Sequence, residues 1–289
     1  MRKSHKSKLS PHLLLYRDVL LGTKDKNSKE SMYSKIHKQA SMKTIVNFSG
    51  GRTSAYLSYI LKQTDLDLAF VFANTGKERE ETLEFVNKCD KEWGLGVVWI
   101  ESVISQTFGI GPKYRIVDFE SASRNGEPFT DMVDKFGIPN SNFPHCTREL
   151  KHVPIKKWAK ENFPEHRMAI GIRIDERTRV KGHWYPLVTD FPTTKLMVRQ
   201  FWANQPFDLN LKDYEGNCDL CWKKSQRKRL TLIKENPGIE KQWAEWEDRD
   251  EYVFDRAGLT IKELVEKSKT DFNLVVDEFM DIETKCACE

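Results

Sequence analysis

From Met42 onward, apolar strand-like runs alternate with segments of helical period, and no other feature limits the fold of this chain so sharply. The strand candidates are KTIVNF (43 to 48), DLAFVFA (67 to 73), GVVWIES (96 to 102) and RMAIGI (167 to 172), while 53 to 63, 79 to 93 and 153 to 163 read as helices. Strands separated by helices pair in parallel, because each crossover carries the chain back over the sheet. The expectation is therefore an α/β fold: a parallel sheet with helices on both faces over 42 to 190, then a mainly helical C-terminal region over 191 to 289. With 39% hydrophobic residues in 289, the chain has enough apolar side chains for such a core.

The first strand runs directly into SGGRTS, Ser49 to Ser54, and then into a helix. Ligands of parallel sheets sit at the carboxyl ends of the strands. There the backbone N–H groups of a glycine-containing loop converge at the positive end of a helix, so the stretch reads as an anion site. Gly50 and Gly51 permit positive φ and leave room for an oxygen, while Ser49, Thr53 and Ser54 carry hydroxyl donors. A tight turn capped by serine would use the same residue types. The stretch lacks the Gly-Lys-Ser/Thr ending of a Walker loop and the three-glycine spacing of a dinucleotide fingerprint.

SGGRTS resembles the SGGxxS loop of the PP-loop enzymes, the ATP pyrophosphatase and adenylyl-sulfate reductase superfamily. FANTGKEREETLEFV is similar to the NTG…ET segment of the phosphoadenosine phosphosulfate (PAPS) reductase family, with Asn74, Thr75 and Gly76 in place. HCTRELKHVPIKKWAKE keeps that family's cysteine, basic residues and Pro-started helix as Cys146, Arg148, Lys151 and Pro154, and Arg148 and Lys151 would share one face of a helical turn. GIRIDERTR resembles the GxRxxES…R segment through Gly171, Arg173, Glu176 and Arg179, with Arg177 where the pattern has serine. Together the matches cover about 42 to 235, and the later stretches look most like uncharacterised, often phage-borne, members. The resemblance implies an adenine nucleotide alpha hydrolase-like (HUP) fold over 42 to 190. It also implies an enzyme that binds ATP, with Mg, or PAPS. Ser49, Gly50, Gly51, Thr53, Ser54, Asn74, Thr75, Gly76, Gly171 and Glu176 would hold the nucleotide, and Arg148, Lys151, Arg173 and Arg179 would neutralise charge in the reaction. Two chemistries remain open, sulfur transfer from PAPS through a cysteine and adenylation followed by sulfur insertion into nucleic acid. A nucleotide-binding module without catalysis is the third.

Six cysteines without a secretory signal point to thiols, metal ligands or redox chemistry. Cys218 and Cys221 form a CxxC, and the last residues, ETKCACE, add Cys286 and Cys288 without the Gly-Leu-His of the sulfite-releasing reductases. A pair of soft thiolates three positions apart can bite one metal, and a reducible dithiol is the alternative. Some sulfur-inserting relatives hold a 4Fe-4S cluster on three separated cysteines, and the resemblance extends that arrangement to Cys146, Cys218 and Cys221, with Cys288 or Cys286 as a fourth; zinc would use the same set. Cys89, inside an amphipathic helix, reads as core.

Residues 1 to 41 are rich in Lys and Ser and read as a flexible basic extension. The run KKSQRKR after the CxxC reads as a solvated charge run or a nucleic-acid contact. A net charge of +4 does not by itself require a polyanionic partner. No run is apolar enough to span a membrane and no cleavage site follows the basic start, so the expected setting is the cytoplasm, with a small nucleotide as substrate and a homodimer as one assembly.

Overall fold

The computed structural model describes residues 42–250 and 252–270; the 1 to 41 extension, Cys286 and Cys288 lie outside them. Five strands, β1 (Lys43–Asn47), β2 (Leu68–Asn74), β3 (Val98–Val103), β4 (Lys113–Val117) and β5 (His166–Ile170), form one sheet in the order β4-β3-β2-β1-β5. β1 pairs in parallel with both β2 and β5, β2 in parallel with β3, and β4 runs antiparallel along β3. The sheet is thus α/β and mostly parallel. β4 was absent from the sequence reading, because KYRIV is short and largely exposed, so it carries no clear apolar alternation.

Side chains of successive residues leave a strand on opposite faces. Val46, Phe70, Phe72 and Trp99 pack on one face against Leu57 and Leu61 of α1 (Arg52–Lys62) and Leu83 and Val86 of α2 (Glu80–Trp93). Their neighbours Ile45, Val71 and Ile100 pack on the other face against Ile155, Trp158 and Ala159. A third helix, α3 (Glu127–Phe136), precedes a helical turn (His145–Thr147) and a π-helical turn (Arg148–His152) that leads into α4 (Val153–Asn162), the helix carrying Ile155. Cys89 is fully buried in α2.

After β5 come a 3-10 turn (Ile174–Arg179), α5 (Lys195–Ala203), α6 (Gln226–Glu235), α7 (Lys241–Glu247) and α8 (Ile261–Thr270). Val198 and Trp202 of α5 join the cluster that covers α1 and α2. Trp243, Trp246 and Phe254 form a further apolar cluster with Phe129 and Met132 of α3. The post-sheet chain therefore packs back onto the carboxyl end of the sheet. β1 and β5 are adjacent strands whose outgoing connections diverge, which opens a crevice at their carboxyl ends. Among the described residues no helix is long and apolar enough to cross a membrane.

Candidate functional site

SGGRTS occupies that crevice. Gly50 has φ +80°, and a Cβ there would lie 2.6 Å from Thr82 Cγ2, so both backbone sign and space demand glycine. The Ser54 hydroxyl donates to the Gly51 carbonyl at 2.9 Å, and Ser49 Oγ lies 3.1 Å from Ser54 Oγ, which closes the loop on itself at the start of α1. Gly171, leaving β5, passes so near that a Cβ would stand 3.1 Å from Ser54 Cα. Arg173 Nη1 then donates to Thr53 Oγ1 at 2.8 Å, tying the β5 exit to the loop.

Ser49, Gly51, Thr53, Ser54, Gly171, Arg173, Glu176 and Arg179 line one cavity of about 280 Å³. Glu176 bridges Arg173 (3.1 Å) and Arg179 (2.5 Å), so the two guanidiniums are held side by side on one carboxylate. The opposite wall, absent from the sequence reading, comes from the post-sheet chain: Lys195 and Arg199 of α5, Lys212, Asp213 and Asn217. Burial pushes the Asp213 carboxyl up, but Lys195 and Arg199 outweigh it and hold the group below its usual value. Asn217 Nδ2 donates to the Ser49 carbonyl at 2.7 Å, and Arg52 makes a two-pronged pair with Asp208 at 2.7 and 2.6 Å. The signal that could have found Asn217 was its place directly before the CxxC, in GNCDLC.

The remaining expected residues lie elsewhere. Asn74 is fully buried and donates to Glu101 Oε1 (2.7 Å) and the Ser123 carbonyl (2.8 Å), while its Oδ1 accepts from Gly76 N. Thr75 donates through backbone and hydroxyl to Glu78 Oε2, each at 2.7 Å. These groups brace the end of β2 and are not among the residues lining the SGGRTS cavity. Arg148 and Lys151 do not share a face: the chain there is π-helical, Arg148 is 73% exposed and paired with Glu149, and Lys151 turns inward to Glu78 at 3.2 Å.

Lys151 instead borders a second, smaller cavity, together with Thr75, Cys146, Cys218 and Cys221. Three cysteines from two segments, Cys146 and the Cys218–Cys221 pair, thereby border one cavity. A hydrogen bond with Cys221, and then burial, push the Cys218 thiol well above its usual value. Beside them, Trp222 Nε1 and the Nε and Nη1 of Arg229 are buried N–H donors with no hydrogen-bond acceptor. Burial pushes the Arg229 guanidinium down to about 10, against the attraction of Cys221 and Glu247. Among the described residues no group of three or more His, Cys, Asp or Glu is arranged to hold a metal ion, so the trio shares a cavity without forming a ready ligand set.

KKSQRKR is not the solvated face expected of it. Lys223, Lys224, Lys228 and Arg229 are all under one-tenth exposed, and only Arg227 of its five cations is open to solvent. Lys224 Nζ donates to the Cys218 and Asp219 carbonyls, Lys223 Nζ to Thr147 Oγ1 at 2.9 Å, and Arg229 pairs with buried Asp255. The run folds inward because its cations complete the turn that carries the cysteines.

The two cavities are joined by sequence and by pairing. Glu78 and Cys218 form an antiparallel bridge, and Arg79 N donates to the Asn217 carbonyl at 2.8 Å.

Comparison with known proteins gives sequence relatives. No family model matches the chain. It is similar to an uncharacterised nin region protein, ORF290, of Escherichia phage lambda, at 33% identity over 216 residues, which cover 71% of this chain and 74% of that protein. It is also similar to the uncharacterised protein MJ0066 of Methanocaldococcus jannaschii, 29% identical over 146 residues, 50% of this chain and 25% of that protein. A second protein of that organism, MJ0973, is 25% identical over 115 residues, 40% of this chain and 22% of its own length.

Proposed function

The chain belongs to the family of the nin region protein ORF290 of Escherichia phage lambda, and we propose that it is a PAPS reductase-like PP-loop enzyme of the adenine nucleotide alpha hydrolase fold class. It binds ATP or PAPS in the crevice between β1 and β5. The observation that carries this reading is the Arg173–Thr53 bond: the two stretches that resemble the family's nucleotide segments meet there across one cavity. Phosphate or sulfate oxygens would take the loop N–H groups and the hydroxyl of Thr53, whose oxygen accepts from Arg173, while Ser49 and Ser54 close the loop beneath them. Arg173 and Arg179 would neutralise charge on the bound group, with Glu176 fixing both in place. An oxyanion beside two guanidiniums is stabilised most where charge builds up, which suits displacement at a phosphorus or sulfur centre. The test is product analysis with each nucleotide under reducing, anaerobic conditions, with a polynucleotide present to accept the adenylyl group from ATP. Sulfite from PAPS supports sulfur transfer, pyrophosphate from ATP supports adenylation, and the absence of both rejects the enzyme and leaves a binding module.

The shared cavity of Cys146, Cys218 and Cys221 favours a second reading, in which ATP-driven sulfur insertion uses an iron-sulfur cluster or zinc held by these thiolates. Soft thiolates suit such a group although the three are not arranged as a ready ligand set, and the orphaned N–H of Trp222, which lines the same cavity, would find an acceptor in anionic sulfur. Such a group would supply soft thiolate coordination and, for a cluster, electrons or sulfur. The chain's own part is to hold the thiolates under buried cations. Iron and acid-labile sulfide in anaerobically purified protein would support the cluster; zinc alone would make the cysteines structural.

A further inference from the structure

The burial of KKSQRKR removes the basic surface that the sequence offered to a polyanion. The structure supplies another at the mouth of the nucleotide cavity. Two segments border that mouth, 173 to 183 after β5 and 193 to 200 leading into α5, and they are joined by Ile174 N donating to the Thr193 carbonyl at 3.0 Å. They carry six cations, Arg173, Arg177, Arg179, Lys181, Lys195 and Arg199, against two carboxylates, Asp175 and Glu176. The surplus equals the +4 of the whole chain, and Asp213, paired with Lys195 and Arg199, offsets one of these charges.

The same segments expose apolar side chains: Ile174 is 36% exposed, Val180 40%, Leu196 63% and Met197 38%. A folded chain gains by covering large apolar groups, so four of them interleaved with cations mark a surface that something else covers. Cations interleaved with exposed apolar groups suit single-stranded nucleic acid, phosphates on the charges and bases against the apolar groups. The two segments border a cavity, so a flexible strand crossing them can dip one nucleotide inward.

We propose that this rim is the docking surface for a single-stranded stretch of polynucleotide, which presents one nucleotide to the cavity as the acceptor. The proposal rests on the nucleotide reading of the cavity for the role of the strand, and on charge and exposure for the surface itself. Arg177, Lys181, Lys195 and Arg199 take backbone phosphates, and Leu196 and Met197 take a base.

The experiment is fluorescence anisotropy of labelled single-stranded RNA and DNA oligonucleotides with the full chain, from about 50 to about 200 mM salt. Arg177→Glu with Lys181→Glu is compared with Lys156→Glu and Lys160→Glu, which make the same charge change on exposed positions of α4. The mouth variant is expected to lose tenfold or more in affinity and the α4 variant less than twofold. A milder pair, Arg177→Gln with Lys181→Gln, should flatten the salt slope by about two, one per lost phosphate contact. Equal losses in the mouth and α4 variants, no binding of either strand, or binding only to phosphatidylserine vesicles would each overturn the proposal. ATP and PAPS binding by the same samples is read separately: oligonucleotide binding that depends on the mouth without any nucleotide binding keeps the surface and rejects the reading of the cavity.

Discussion

The side-chain amide of Asn217 donates to the carbonyl oxygen of Ser49 at 2.7 Å, and the next residue along the chain, Cys218, lines the cysteine cavity. One dipeptide therefore touches both candidate sites. Asn217→Ala removes a hydrogen bond worth about 1 kcal/mol, so ATP or PAPS affinity should fall about fivefold by calorimetry. Asn217→Asp should cost more, because it turns a carboxylate toward a carbonyl oxygen and sets negative charge beside the proposed anion site. Wild-type affinity in Asn217→Asp would show that the loop does not depend on this contact.

The loop also depends on Gly50. An alanine there must hold φ near +80° and push against the Thr82 methyl, so Gly50→Ala should lower unfolding free energy by about 1–3 kcal/mol in urea titrations. Adding Thr82→Ser removes Cγ2 and should return the steric part of the loss while leaving the backbone part. A double variant no more stable than Gly50→Ala alone would mean that the clash is relieved elsewhere.

How much of this was open to a reader of the sequence depends on how local the cause is. The β1 strand, the SGGRTS turn and α1 are consecutive, and their period and glycines announce them. The meeting of Gly171 and Arg173 with Ser54 and Thr53 was reached only through the resemblance, since the parallel β1–β5 pairing is the physical link and no short-range pattern encodes it. Asn217, Lys195 and Arg199 were missed because the post-sheet chain returns to the sheet by tertiary packing of Trp202 and Leu209. Lys223 and Lys224 misled for a related reason: their charges meet carbonyl and hydroxyl oxygens that only the folded turn supplies. The cysteine trio shows the opposite case, spacing that was informative for Cys218 and Cys221 and silent about Cys146.

Burial, and then the neighbouring Asp90, raise the Cys89 thiol far above its ordinary value of 9.0. The folded state thus keeps the proton that the unfolded state releases near 9.0, so this contribution is intact below that pH and is lost as pH rises. Its slope is about 1.4 kcal/mol per pH unit above the unfolded value. Cys89→Ala should be less stable at pH 8, from the cavity left behind, yet lose less stability between about pH 9 and about pH 10.5. Parallel alkaline slopes for the two proteins would rule this out.

Arg229 and Asp255 pair in the interior, their side chains 2% and 1% exposed. Removing one partner leaves a buried charge alone, so Asp255→Asn should cost about 3–5 kcal/mol. Replacing both, as Arg229→Met with Asp255→Leu, should recover much of that in thermal unfolding. A double variant as unstable as Asp255→Asn would contradict a cost set by the unpaired charge.

The central claim is that an adenine nucleotide sits between SGGRTS and the β5 exit, and equilibrium binding of ATP and PAPS to the full chain and to Arg173→Ala tests it most directly. Saturable binding of at least one of them, weakened about tenfold or more in Arg173→Ala while the variant stays folded, is the predicted result. No saturable binding of either nucleotide, or equal affinity in the two proteins, would contradict it.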